Sequence, residues 1–222
     1  MGEPLREPLC AGLTALGLAF DDAQIDRLLD FLTLLQRWNR VYNLTAVREP
    51  REMLTYHVLD SLAAVAPLRG HLQGAGTPTP TLLDVGSGGG LPGVVFAIAL
   101  PELAVTCVDA VAKKAAFVQQ VAGALHLRNL RGVHARVQTV AGPFDVVSSR
   151  AFAALADFAA WSRAALAPQG VWLAMKGRHP HDEIAALPAN VQVFHVEPLA
   201  VPGLDAERCI VWMRPAPPAA YT

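Results

Sequence analysis

The stretch LLDVGSGGGLPG, residues 82–93, places an acid, Asp84, two positions ahead of the first of five glycines. A glycine turn that leaves a strand lets a ligand approach the backbone, because no Cβ stands in the way. GGGLPG (88–93) also matches G-x-G-x-x-G, a spacing that seats a dinucleotide pyrophosphate on a helix N-terminus. A carboxylate beside that turn disfavours a phosphate. S-adenosylmethionine has no phosphate but carries an ammonium and a sulfonium, so an acid is compatible with it. Asp109 ends the next apolar run, AVTCVD, where a carboxylate can accept both ribose hydroxyls. NAD would use that acid equally well. Asp84 and the order of strands favour the methyl donor, with Gly86, Gly88 and Asp109 against it. NAD, or a turn kept only for tight packing, are the competing readings.

These residues need a scaffold, and from residue 81 the chain alternates short apolar runs with helical patterns. TLLDV, AVTCVD, LRGVHA, FDVVSS, VWLAMK, VQVFHV and RCIVWM read as strands, with helices over 92–99, 112–126 and 153–166. That alternation predicts an α/β fold, a mostly parallel seven-stranded sheet with helices on both faces. The last two strands lack a helical crossover, so one of them is expected to be antiparallel. Ahead of the sheet, residues 22–38 carry Ile25, Leu28, Leu29, Leu32 and Leu35 at helical spacing behind an Asp21/Gln24 capping box. Pro50 suits the first turn of a second helix with Leu54, Val58, Leu62 and Val65 on one face. The expected division is an N-terminal helical extension over 1–73 packed on the core, a linker over 74–80, a catalytic domain over 81–214 and a loose tail over 215–222.

The chain has 222 residues, 53% of them hydrophobic, and a net charge of −1. A large core follows, and a strongly basic nucleic-acid binder is disfavoured. The distribution of charge is less uniform. Lys113, Lys114, Arg128, Arg131 and Arg136 fall between Asp109 and Asp145 with no acid among them, and Arg37, Arg40, Arg48 and Arg51 form a second cluster. Either group could attract phosphates or simply be solvated helix surface. The longest apolar runs fall far short of the roughly 20 residues a membrane span needs. Cys10, Cys107 and Cys209 are scattered, with no metal-type pair. A cytoplasmic protein without a metal is expected.

WNRVYNLTAVREPREMLTYHVLDS, LLDVGSGGGLPG, SRAFA and MKG, in this order, resemble the RsmG family, also called glucose-inhibited division protein B. The likeness runs from about Leu28 to Met213. It implies a Rossmann-like class I fold and S-adenosylmethionine-dependent methylation of guanine N7 in 16S ribosomal RNA. Naked RNA, a small ribosomal subunit or an assembly particle could be the substrate, and the enzyme is expected to be a monomer. By the same resemblance Gly86 and Leu91 touch the donor, Val137 and Gln138 lie beside its adenine, and Arg150 closes the site. The family often has an acid where this chain has Gln138; an amide can still accept from the adenine amine.

The chain carries no Asn/Asp-Pro-Pro-aromatic run after the fourth strand and no cysteine at a strand end suited to attack on a pyrimidine. A guanine N7 needs neither, since its lone pair is free and bears no proton. Catalysis would then rest on positioning, with Arg150 and Lys176 as candidates and no general base assigned. Arg150 either orients donor or guanine, or pairs with a nearby acid. Lys176 and Arg136 are candidates for RNA contact, Lys176 alternatively being a surface lysine. His57 and Asp60 share a helical face and either help close the donor site or form an interface pair. Trp38, Tyr42 and Asn43 could meet RNA, although packing of the N-terminal helices is the simpler role. A small-molecule methyltransferase and a donor-binding sensor or assembly factor without catalysis are the alternatives.

Overall fold

The structure, a computed structural model, describes residues 3–217. Seven strands among them form one sheet: β1 (Thr81–Val85), β2 (Ala104–Asp109), β3 (Leu130–His134), β4 (Phe144–Arg150), β5 (Leu166–Lys176), β6 (Val191–Leu199) and β7 (Arg208–Pro215). Their order is β3-β2-β1-β4-β5-β7-β6. β7 runs antiparallel to both β5 and β6, while the other pairings are parallel. The order reverses between β1 and β4, so a crevice opens beyond their C-terminal ends, where ligands bind in open α/β sheets.

Successive residues of each strand serve opposite faces. Leu82, Val105, Val146, Leu173 and Ile210 join the core under the N-terminal helices, α6 (Gly93–Ala99) and α7 (Ala112–Ala124). Leu83, Val85, Val108, Val147, Trp172 and Val211 join the opposite core, under α8 (Leu155–Ser162). Phe96, Phe117, Phe158 and Trp172 are fully buried. Truncating any of these to alanine should cost about 3–5 kcal/mol. Trp172 satisfies its indole N–H by donating to Ser162 Oγ at 2.9 Å.

The N-terminal segment begins with α1 (Glu3–Ala15), which lies within the expected helical extension but ahead of the first helix delimited there. Leu5, Leu9 and Leu13 recur every fourth residue and are all buried, a legible stripe that Pro4 and Pro8 obscure. α2 (Asp22–Tyr42) starts on the predicted capping box, Gln24 N–H donating to Asp21 Oδ1 at 2.7 Å. The helix from Pro50 is not uniform. α3 (Pro50–Met53) passes into a π-helical turn, Leu54–Leu59, then α4 (Asp60–Leu62), and a separate α5 (Val65–Ala75) follows. α5 runs into the stretch expected as linker, so irregular chain begins only at Gly76. The 153–166 helix is likewise shorter, as α8 gives way to a 3-10 turn at Arg163–Ala165.

α2 climbs the sheet towards the crevice. Near its start, Gln24 Nε2 donates to Ile98 O (3.0 Å) at the far end of α6. Near its finish, a Cβ on Gly89 would meet Leu35 Cδ1 at 3.0 Å. The N-terminal helices thus share one core with the sheet and end at its functional edge.

Candidate donor and acceptor crevice

Two hollows meet above the C-terminal ends of β1, β2 and β4. One, of about 560 Å³, is lined by Thr45, His57, Gly88, Leu91, Arg150 and Lys176 among others. The second, of about 600 Å³, is lined by Asp109, Arg136, Val137, Gln138, Phe152 and Trp161 among others. Gly86, Lys114 and Ala151 border both. The structure therefore brings Gly86, Gly88, Leu91, Asp109, Val137, Gln138, Arg136, Arg150 and Lys176 to one crevice.

Gly86 must be glycine for two reasons. Its φ is +66°, and a Cβ would run into the Phe152 ring. Asp109 is buried and pins the turn: Oδ2 accepts from Gly88 N–H (3.0 Å) and Oδ1 from Val111 N–H (2.8 Å). Each oxygen retains a lone pair, so the carboxylate can still accept from hydroxyls. Lys114 Nζ stands 4.0 Å from Asp109.

Asp84 plays a different part from the one its position suggests. It is fully buried, with Oδ2 accepting from Gly93 N–H and Oδ1 from Ser148 Oγ, both at 3.0 Å. Burial pushes its pKa up to about 7, against the pull of those two bonds. The carboxyl ties the start of α6 to β4 instead of facing a ligand cation. Ahead of the glycines it serves as a buried hydrogen-bond acceptor for the turn's far end and for β4.

Arg150 ends β4 and pairs with an acid. Its Nη1 donates to Asp60 Oδ2 (2.8 Å) and to Tyr56 O (2.9 Å). Asp60 Oδ1 accepts from Arg208 Nε at 2.7 Å, so one carboxylate serves two guanidinium groups and leaves the trio net positive. Arg208 opens β7, and an antiparallel strand in that position begins at the crevice; that consequence was available from sequence. Ala151 has φ +51°, an uncommon conformation for a residue with a Cβ, costing about 1–2 kcal/mol. The turn it makes sends Arg150 to one hollow and Phe152 to the other.

Lys176 is likewise paired: Nζ donates to Glu183 Oε2 (2.7 Å) and to Ala153 O (3.1 Å). Arg136 is exposed and forms no salt bridge among the described residues. Gln138 is exposed on a 3-10 turn, Val137–Thr139, whose Val137 is buried. The basic stretch 113–136 does not make one face. Lys113 and Lys114 lie in the first turn of α7, at the crevice, whereas Arg128 precedes β3 at the end of that strand away from the crevice.

His57 is buried in the π turn, its Nε2 2.7 Å from Thr45 Oγ1, and Nδ1 has no protein partner. Burial, with Arg150 adding to it, pushes its pKa down to about 4, so the ring is neutral near pH 7. Ser87 Oγ is also buried without a partner. Trp38 packs on Phe117, ring centroids 5.4 Å apart, as the packing reading expected. Among the described residues no group of three or more His, Cys, Asp or Glu could hold a metal ion, and no helix is long and apolar enough to cross a membrane.

The family model described as rRNA small subunit methyltransferase G matches residues 24–211. The chain is 73% identical over 209 residues to ribosomal RNA small subunit methyltransferase G of Acidovorax sp. (strain JS42), covering 92% of each chain. It is 71% identical over 216 residues to the protein of the same name from Acidovorax ebreus (strain TPSY), covering 95% of this chain and 96% of the relative. Among solved structures, magnesium protoporphyrin IX methyltransferase from Synechocystis PCC 6803, with bound SAM, superposes with a TM-score of 0.57 at 17% identity. That match covers 88% of this chain and 98% of the other, and bears on fold alone.

Proposed function

The chain belongs to the rRNA small subunit methyltransferase G family, and from that premise we propose that its crevice positions a guanine N7 for in-line attack on the donor methyl. The protein is an S-adenosylmethionine-dependent methyltransferase of 16S ribosomal RNA. The observation that carries the site assignment is the pair of hollows meeting at Gly86, Lys114 and Ala151. One hollow suits the adenosine: apolar Val108 and Val137 beside Gln138 and the Asp109 carboxylate. The other, with its surplus of cations, suits the acceptor RNA and the donor's carboxylate.

The lining fits the donor at the glycine turn, where a Cβ on Gly86 would fill the space against Phe152. S-adenosylmethionine supplies an electrophilic methyl on its sulfonium. The rest is done by residues of this chain. Asp109 accepts from the ribose hydroxyls while holding Gly88 in place. Leu91 and Val137 exclude water, and Gln138 accepts from the adenine amine. Arg150, fixed by Asp60 and Tyr56, presents its remaining N–H groups to the carboxylate or to guanine O6. N7 bears no proton, so no general base is needed, and preorganised placement carries the rate. Arg136 and Lys176 meet RNA phosphates, Lys176 on exchanging Glu183 for the substrate. We assign action to a cytoplasmic monomer working on the small subunit or an assembly particle.

The test is transfer of a radiolabelled methyl group from S-adenosylmethionine to small subunits from cells lacking the protein. Label confined to one guanine of 16S RNA supports the reading. Donor binding without transfer to any RNA refutes it.

A further inference from the structure

We infer that the rim formed by the end of α2, the loop after it and the π turn is a docking surface for an unpaired RNA strand, whose bases stack on Tyr42 and Tyr56. The inference rests on the proposed function and adds where the substrate lies and in what form.

The rim stands at the crevice, because α2 climbs from Ile98 to the glycine turn at Leu35 and Gly89. Tyr42 is its last residue and is 39% exposed. Its ring lies 5.0 Å from Trp38, which is braced in turn on Phe117 at 5.4 Å. That side of the ring is held by packing, and the exposed remainder is free to receive a base. Tyr56 is 41% exposed and lines the crevice mouth. Its backbone carbonyl accepts from Arg150 Nη1 at 2.9 Å, which fixes the π turn to the end of β4. Tyr56 thus borders the acceptor hollow itself, while Tyr42 stands two residues before Leu44, which lines the same hollow.

Charge complements the rings. Arg37, Arg40, Arg48 and Arg51 are exposed, and none forms a salt bridge among the described residues. Of the two acids nearby, Glu49 caps α3 by accepting from Glu52 N–H at 2.8 Å. Aromatic faces flanked by unpaired arginines bind single strands, the rings stacking on bases and the guanidinium groups tracking phosphates. They fit a duplex poorly, since an A-form helix hides its base faces and buries guanine N7 in a deep, narrow groove. A rim built for stacking and an N7 acceptor require the same thing, an unpaired guanine with unpaired neighbours.

The test uses small subunits from cells lacking the protein, a single-stranded RNA dodecamer and the corresponding duplex. Tyr42→Ala and Tyr56→Ala should each raise KM for subunits and weaken single-strand binding about tenfold, as expected for loss of one stacked base. In Tyr42→Ala, which lies outside the hollow's lining, kcat and donor affinity should stay near wild type, and Tyr→Phe at each position should restore RNA binding. Arg40→Gln and Arg51→Gln, at exposed side chains that make no salt bridge among the described residues, should flatten the salt dependence of binding. The inference is overturned if the alanine variants bind RNA as wild type does, if donor affinity falls in step, or if the duplex binds as tightly as the single strand. Wild-type protein that methylates subunits while every rim variant behaves normally overturns this inference alone. Wild-type protein that neither binds nor methylates RNA overturns the functional reading with it.

Discussion

Asp60 and Arg150 join the N-terminal helices to the end of β4 through a 2.8 Å ion pair, with only 4% of the Asp60 side chain exposed. The same carboxylate holds Arg208 at 2.7 Å. Removing it strands two guanidinium groups at the crevice edge. Asp60→Ala should lower stability by about 2–4 kcal/mol, somewhat less than for a wholly buried pair because both arginines keep some solvent. Urea unfolding measures this. The double variant Asp60→Ala/Arg150→Ala should cost less than the sum of the two singles; strict additivity would show that the pair is not coupled.

Asp109→Ala should weaken S-adenosylmethionine binding by about 1–3 kcal/mol, the usual cost of losing charge-assisted hydrogen bonds. It should also lower stability, since Gly88 N–H and Val111 N–H lose their acceptor. Calorimetry on the folded variant decides the first point, and unchanged affinity would remove Asp109 from the donor site.

Much of this site was legible in the sequence, for identifiable reasons. Strand ends are marked by where apolar runs stop, so Asp109, Arg150 and Lys176 fall at the crevice once a parallel sheet is recognised. The glycine turn declares itself by composition. Which way a side chain turns at those ends is a tertiary matter. Asp84 faces inward to Gly93 and Ser148, and Lys176 is held by Glu183. The π turn in Leu54–Leu59 leaves no mark in an apolar pattern that serves an α-helix equally well. Arg128 and Arg136 are neighbours in a charge count but stand at opposite ends of β3, because an extended strand separates them.

Arg136 and Lys176 should differ in their contribution to RNA binding. Arg136 is exposed and forms no salt bridge, so Arg136→Gln should reduce the slope of log affinity against log salt by about one. Glu183→Gln should release Lys176 and steepen that slope, with donor affinity unchanged. Loss of donor binding in either variant would reassign the cation to the donor.

Stability should respond to pH through two buried groups of opposite sign. His57 has a folded pKa of about 4 against an ordinary 6.5. The unfolded chain takes up its proton first, so this share of stability is lost as pH falls from about 6.5 to about 4. Asp84, at about 7 against 3.8, holds a proton that the unfolded chain has released, so its share is lost as pH rises across that window. His57→Gln removes only the first. Relative to wild type, the variant should gain about 3 kcal/mol between pH 7 and pH 4, read from urea unfolding at each pH. A difference that does not change with pH would mean that His57 titrates normally in the folded protein.

The central claim is that the crevice places a guanine N7 on the donor methyl and leaves the chemistry to positioning. Substituting 7-deazaguanine at the methylated position of the RNA tests it most directly, since the base's Watson–Crick edge is kept and only the nucleophile is removed. The substituted RNA should bind with unchanged affinity and accept no methyl group. Methylation at the unmodified rate would show that another atom is the acceptor and contradict the mechanism.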